Sequence, residues 1–429
     1  MSETGSAVAV ELSIERLGAQ GDGIARAGGG DVFVPFALAG ELVRAVVEGE
    51  RGRLVEVMRA APERVTPVCR HFTACGGCAV QHLALPAVAA WKRQTVVNAL
   101  QSRGLDVEVG VPLSVGLGAR RRVTLSARRE GRGMVLGFFA AGTDELVGIS
   151  ECPVADGRIV AALPGLAELA SMLPAGRDGL RLAVLAADSG LDVDVAGVAG
   201  KPDAVLGARL AGQAQRLGLA RLSLDGDPLI QTAVPSVTMD GVAVAPPPGV
   251  FLQASAAAED LMREAILAAV PKKAKRAADL YCGLGAFTFA LARRLEVTAM
   301  DSDTRALEAL EHAARRAPGR KAIATRRRDL MGEPLSRKEL EGFDVVVFDP
   351  PRAGAREQAA NLAKSAVPVV VAVSCNPATL ARDLRLMVDG GYAVTSVRPI
   401  DQFVYSPHVE VVAVLERPGQ RNTPIRRST

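Results

Sequence analysis

The sequence predicts an α/β protein built on an open parallel sheet, with a small β-barrel before it and a mixed α+β region between them. Three observations predict this. Residues 251–416 alternate apolar, strand-like runs with helical patterns: VTAMD before TRALEALEHAARR, and VPVVVAVS before PATLARDLRLMVDGG. That is the βαβ rhythm of a Rossmann-like sheet with helices on both faces. Residues 8–59 alternate short valine- and leucine-rich runs with glycine turns, at a spacing that suits a closed barrel of the oligonucleotide-binding size. Residues 60–250 are mixed and end on Pro246-Pro247-Pro248, a natural boundary. The expected domains are therefore 1–60, 61–249 and 250–429.

Composition narrows the class. Hydrophobic residues make up 49% of the 429, ample for packed cores. Met1 to Ala9 is small and polar, so no secretory signal is read there. The longest apolar run, Ala366 to Val373, is far short of the about 20 residues that span a bilayer. A soluble, cytoplasmic protein is expected, and a monomer, since no extra apolar helix face is evident. In a reducing compartment the six cysteines read as metal ligands, nucleophiles or buried small residues, not as a disulfide framework. A net charge of +4 suits a nucleic-acid partner, while 3% aromatic residues argue against single-strand binding by stacking alone.

In the barrel region, Arg16, Arg26, Arg44, Arg51, Arg53 and Arg59 fall on or beside strands. They read equally well as phosphate contacts and as ordinary solvated arginines. Next, Cys69-Arg-His-Phe-Thr-Ala-Cys75-Gly-Gly-Cys78 places three cysteines in ten residues. Three thiolates are one short of a tetrahedral site, and spacing alone leaves zinc and an iron–sulfur cluster both open. A helix is expected around Leu85 to Ser102, then β-rich segments with a basic start at Arg120-Arg-Arg122.

The C-terminal motifs carry the chemistry. Asp279-Leu-Tyr281-Cys-Gly283-Leu-Gly285 is a strand ending in a glycine turn that lets a ligand approach the backbone. It lacks the third glycine of a dinucleotide fingerprint. Asp301 ends the next strand, where an acid accepts from ribose hydroxyls, and Asp329 follows another segment, near an adenine edge. Phe348-Asp349-Pro-Pro-Arg352-Ala-Gly354 follows the fourth strand. Asp-Pro-Pro there suggests a methyltransferase acting on a nucleobase, and Arg352 in place of an aromatic weakens the amino-methylation reading. In Val373-Ser-Cys375-Asn376-Pro377, Asn376 is a good cap and Pro377 a good first helical position. A thiol facing that helix start is expected to have a lowered pKa and to act as a nucleophile; the alternative is a buried small cysteine. Glu410 interrupts an apolar run, as a base or an edge charge, with His408 a second candidate.

Methylating uracil C5 needs these groups in one pocket. A thiolate adds to C6, C5 becomes enolate-like and attacks the methyl donor, a base removes the C5 proton, and the thiolate is eliminated. Cys375, Glu410 and the loops at 279–301 fit those roles.

The chain resembles the RNA uracil-C5 methyltransferases of the TRAM-domain, iron–sulfur type, specifically the bacterial 23S ribosomal RNA enzymes. The resemblance rests on GDGIA in the barrel, C-x5-C-G-G-C followed by Gln81-His82-Leu83, F-x-Q at Phe251 to Gln253, DLYCGLG, DPPRAG, SCNP and H-x-E at His408 to Glu410. It implies a class I methyltransferase domain, a TRAM barrel and a central domain carrying a [4Fe–4S] cluster. It implies Cys152, in Ser150-Glu-Cys152-Pro153, as the fourth ligand beside Cys69, Cys75 and Cys78. By the same resemblance Cys375 is the nucleophile and Glu410 the base. Gln253, Tyr281, Asp301, Asp329 and Asp349 occupy the S-adenosyl-L-methionine site, and the RNA partner is 23S ribosomal RNA. Lys92, Arg93, Arg120, Arg121 and Arg122 become candidate phosphate contacts. Two departures stand out: Ser255 and Ala286 where the family often has asparagine.

Overall fold

The computed structural model describes residues 9–131 and 133–418. The expected signal-free start and the polar tail lie largely outside them.

The N-terminal sheet is closed by its own first run of chain. Ala9–Ser13 pairs antiparallel with Leu42–Glu48, whereas Arg16–Leu17, just beyond it, pairs with Gly23–Ala27. The two pieces form opposite edges of a six-stranded order completed by Gly30–Val34 and Arg51–Arg59, so the run wraps the sheet into a barrel. The switch falls at Ile14 and Glu15, whose N–H groups donate to Glu41 O (2.9 Å) and Ile24 O (2.8 Å). Leu12, Ile14, Val32, Val34 and Val43 fill the interior. Arg16, Arg44 and Arg51 pair with Asp31, Glu56 and Asp22 on the barrel itself.

The central region has a seven-stranded sheet that runs from Leu146–Gly148 to Asp227–Gln231, with Arg122–Glu130 and Leu180–Ala187 near its middle. Helices Gly157–Met172 and Ala204–Arg216 cover it, burying Ile159, Leu166, Leu169 and Leu210 against Leu125, Leu182 and Val193.

The C-terminal sheet has eight strands in the order Ile323–Arg327, Glu296–Asp301, Arg276–Leu280, Val345–Phe348, Val369–Ser374, Glu410–Glu416, Ala393–Asp401, Leu113–Ser114. The first five are parallel and Glu410–Glu416 runs antiparallel to its neighbours. Its central strands read VVVF and VVVAVS because both faces are buried. Packing crosses the sequence position expected as a boundary. Leu113–Ser114 adds the last strand, and helix Leu85–Gln101 with the turn after it sends Val96, Leu100, Leu105 and Val109 into the core under Val346, Val370 and Leu384.

No helix among the described residues is long and apolar enough to cross a membrane.

Candidate active site

Strand order reverses between Arg276–Leu280 and Val345–Phe348, the place where open α/β sheets hold ligands beyond their carboxyl ends. The loop after Arg276–Leu280 turns through left-handed backbone at Tyr281 (φ 61°), Gly283 (φ 52°) and Gly285 (φ 94°). A Cβ on Gly285 would lie 3.0 Å from both Leu310 and Phe289, so a side chain there is strained and crowded together. The Asp301 carboxylate holds the loop, accepting from the N–H of Gly283 (2.8 Å) and of Asp303 (2.9 Å). Asp329 is exposed and accepts from the N–H of Met331 and Gly332; Tyr281 Oη donates to Leu330 O beside it. Beneath the loop, Asp279 accepts from Thr288 at 2.5 Å through one oxygen, while the other is buried without a partner. Burial pushes that carboxyl up to about 7. Open space before Gly283, on a loop that lines a cleft with Tyr281 and Asp349, fits a ligand lying along the loop.

The second loop carries Asp349, and a cleft joins Asp349, Gln253, Phe251 and Tyr281. Gln253 donates to Asp349 Oδ2 (2.8 Å) and accepts from Gln402 (2.9 Å), which also donates to Glu410 Oε1 (3.0 Å). The other Glu410 oxygen is buried with no partner. Burial and the neighbouring Asp349 push Glu410 up to about 8, and burial pushes Asp349 to about 7. Cys375 lies within electrostatic reach of both carboxylates. Gly354, at φ 77°, holds the turn of this loop: a Cβ there would meet Arg382 Nη2 at 2.6 Å and Asp383 Oδ2 at 2.7 Å.

The lowered thiol pKa expected from the sequence is not what the structure gives. Cys375 is pushed up to about 11, by burial first and then by Glu410 and Asp349. Asn376 caps Pro377–Asp389 by accepting from the Ala378 N–H (3.1 Å), and Ser374 Oγ accepts from the Asn376 N–H (3.2 Å). With both carboxyls protonated their opposition to a thiolate disappears, and both cross that point between about 7 and 8.

The four cysteines come together elsewhere. Cys69, Cys75, Cys78 and Cys152 line one cavity of about 240 Å³, with Arg120 and Arg122 on its wall. Burial, then repulsion among the thiolates, raises Cys75 and carries Cys78 to about 11.

Similarities to known families and proteins bear on identity. Residues 325–418 match the tRNA (uracil-5-)-methyltransferase family and residues 241–370 the methyltransferase small domain. An uncharacterized RNA methyltransferase of Mesorhizobium japonicum is 48% identical, over 96% of this chain and 100% of its own. The 23S rRNA (uracil(1939)-C(5))-methyltransferase RlmD of Chromohalobacter salexigens is 34% identical, over 98% of this chain and 92% of its own. This chain belongs to the RNA uracil-C5 methyltransferase family. Its fold is similar, at a TM-score of 0.75 and 24% identity, to that of the Pyrococcus abyssi tRNA (uracil-54, C5)-methyltransferase solved with S-adenosyl-L-homocysteine; the match spans 96% of this chain and 100% of that one.

Within that family frame, several basic residues turn out to work inside the molecule. Lys92 is 1% exposed and bound to Asp401; Arg93 donates to Val109 O; Arg121 is buried, donating to Gln253 O (3.1 Å) and Glu259 (2.6 Å). The buried Lys92 and Arg121 brace the protein from within and are not free to contact phosphates, whereas Arg93 is half-buried. Arg122 lies over the ring of Phe251, which is 65% exposed at the cleft. Gln402 was not singled out by the sequence reading. Its only signal is a polar residue directly after the buried strand end Ile400–Asp401.

Proposed function

We propose that this chain forms 5-methyluridine in 23S ribosomal RNA, using S-adenosyl-L-methionine and a covalent link between Cys375 and uracil C6. The observation that carries this reading is that Asp349 lines the cleft, an amide pair links it to Glu410, and Cys375 lies within electrostatic reach of both carboxyls. Bound S-adenosyl-L-methionine supplies an electrophilic methyl group. The Cys375 thiolate adds to C6, moving the C5=C6 electron pair onto C5 and O4, and C5 takes the methyl. Glu410 removes the C5 proton through its unpartnered oxygen; that electron pair re-forms C5=C6 and the thiolate departs. Asp349 and Gln253 meet the uracil edge. Exposed Phe251, backed by Arg122, offers a face to a base turned out of the RNA.

The RlmD relative supports 23S RNA as the substrate. The barrel at 1–60 is the RNA-contacting module, 61–249 the cysteine-bearing domain and 250–429 the catalytic domain. Cys69, Cys75, Cys78 and Cys152 would hold a [4Fe–4S] cluster, which cross-links the chain there. Zinc is the rival occupant of the same thiolates: among the described residues no three His, Cys, Asp or Glu side chains converge as a metal site, and the four cysteines share the lining of one cavity.

The test is a covalent trap. The protein and S-adenosyl-L-methionine are mixed with 5-fluorouridine-substituted 23S and transfer RNAs, and a denaturation-stable complex is mapped. Fluorine at C5 blocks the proton removal, so the thiolate stays attached. An adduct at Cys375 on 23S RNA is expected. An adduct on transfer RNA alone would overturn the substrate, and none on either would overturn the mechanism.

A further inference from the structure

Asp349, Gln253, Gln402 and Glu410 form one unbroken hydrogen-bonded run that begins at the cleft wall with Asp349 and Gln253. A side-chain amide can be reversed by a half-turn of its last torsion, exchanging donor for acceptor, so a run of amides needs something to set its direction. Here it is the backbone N–H of Ser255, which donates to Gln402 Oε1 (3.3 Å). A backbone N–H can only donate. It pins the Gln402 oxygen and turns the Gln402 nitrogen toward Gln253 and Glu410. Gln253 must then show its oxygen to Gln402 and its nitrogen to Asp349. Gln253, Gln402 and Ser255 are all buried, so reversing either amide would set donor against donor with little access for water. The Ser255 hydroxyl takes no part; it accepts from the Ala258 N–H as a helix cap.

After these bonds Gln253 keeps one amide hydrogen and one oxygen lone pair, in a fixed order, on a side chain that lines the cleft. Uracil presents an acceptor at O4 beside a donor at N3. Cytosine presents the reverse, an amino donor beside an acceptor at N3. A locked amide complements one base and opposes the other, whereas a freely reversing amide accepts both.

We propose that Gln402 is the positioning residue that makes this cleft accept uracil and reject cytosine, by locking the amide of Gln253. The inference rests on the uracil-C5 methylation reading above. It is tested with a 23S RNA fragment that wild-type protein traps, synthesised with 5-fluorouridine or 5-fluorocytidine at the trapped position. Adduct formation precedes proton removal, so it reads base choice without needing Glu410 to act. Wild type is expected to favour 5-fluorouridine strongly. In Gln402→Glu, which keeps the shape but faces Gln253 with an acceptor, the uridine-to-cytidine ratio of adduct yields should fall at least tenfold. Gln402→Met, which keeps the volume and makes no hydrogen bonds, should lower the ratio too and decides the matter if the glutamate variant fails to bind S-adenosyl-L-methionine. Damage to the fold alone would lower both adducts together, so an unchanged ratio, or no adduct with either base, overturns the role of Gln402. A wild type that traps neither base overturns the methylation reading itself.

Discussion

Lys92 donates to the Asp401 carboxylate at 2.5 Å, with 1% and 4% of the two side chains exposed, across 309 residues of sequence. The same ammonium donates to Phe403 O (2.9 Å). Tyr405 O accepts from the N–H groups of Ala79 and Val80, next to Cys78, and Arg120 lies over the Phe403 ring. The segment that carries Gln402 and leads to Glu410 is thus anchored by the stretch that carries the cysteines. These contacts tie the cysteine stretch to the segment that leads to Glu410.

Breaking that anchor should be costly. Lys92→Met leaves the Asp401 carboxylate buried and unpaired, a loss of about 3–5 kcal/mol for a buried pair. Thermal unfolding should shift down by about 2–4 °C for each kcal/mol in a unit of 150–250 residues. Adding Asp401→Asn should recover part of the loss, because the stranded charge is gone. A single variant as stable as wild type would show that the pair is not sealed from water.

Glu410→Gln should separate the two halves of the reaction. Adding Cys375 to C6 and moving the methyl do not need the carboxylate, whereas removing the C5 proton does. The variant should accumulate a covalent RNA adduct on ordinary uridine RNA and release 5-methyluridine slowly. In wild type the release step should speed up with pH until about pH 8, since Glu410 must be unprotonated to act as the base. Single-turnover experiments that follow adduct and product separately would check both. Release as fast as wild type from the variant would remove Glu410 from the role.

The reach of sequence reading in this chain follows how local each feature is. Asn376 and Pro377 were legible as cap and first turn because both roles are set within a few residues. Asp301 was legible as the end of a strand facing the glycine loop for the same reason. Gln402 was not, because its function comes from Ser255, 147 residues earlier. The helix Leu85–Gln101 was legible, yet its pattern could not tell that Lys92 faces inward to Asp401. The raised Cys375 thiol was not legible because burial, and then Glu410 and Asp349 brought in from other strands, outweigh the local helix start.

The same buried carboxyl predicts a stability trend. Glu410 is raised to about 8 in the folded protein, against an ordinary carboxylate value of 4.5. Between those values the unfolded chain has lost the proton and the folded one keeps it. The stabilisation is therefore complete below about 4.5 and is lost as pH rises through about 8. Glu410→Gln cannot ionise, so its melting temperature relative to wild type should climb between pH 5 and pH 8.5. A constant offset between the two proteins is immaterial; a flat difference across that range would contradict a raised Glu410.

Iron content tests the other centre, and the two remaining cysteines make the comparison sharp. Cys152 reaches the cavity from 73 intervening residues and faces the three clustered thiols. Burial first, and then mutual repulsion, raises the pKa values of Cys75, Cys78 and Cys152, and a metal-centred group between them offsets the cost of forming thiolates. Wild type purified without oxygen should carry about four irons per chain, as expected for a cluster held by four thiolates. Cys152→Ser should lose most of that iron. Cys282→Ser should keep it, since Cys282 is buried beside the glycine loop and lies outside the cavity. Because the cysteine stretch also anchors Tyr405, the iron-free Cys152→Ser protein should melt lower than wild type. Stoichiometric zinc without iron in the wild type would replace the cluster with a mononuclear site.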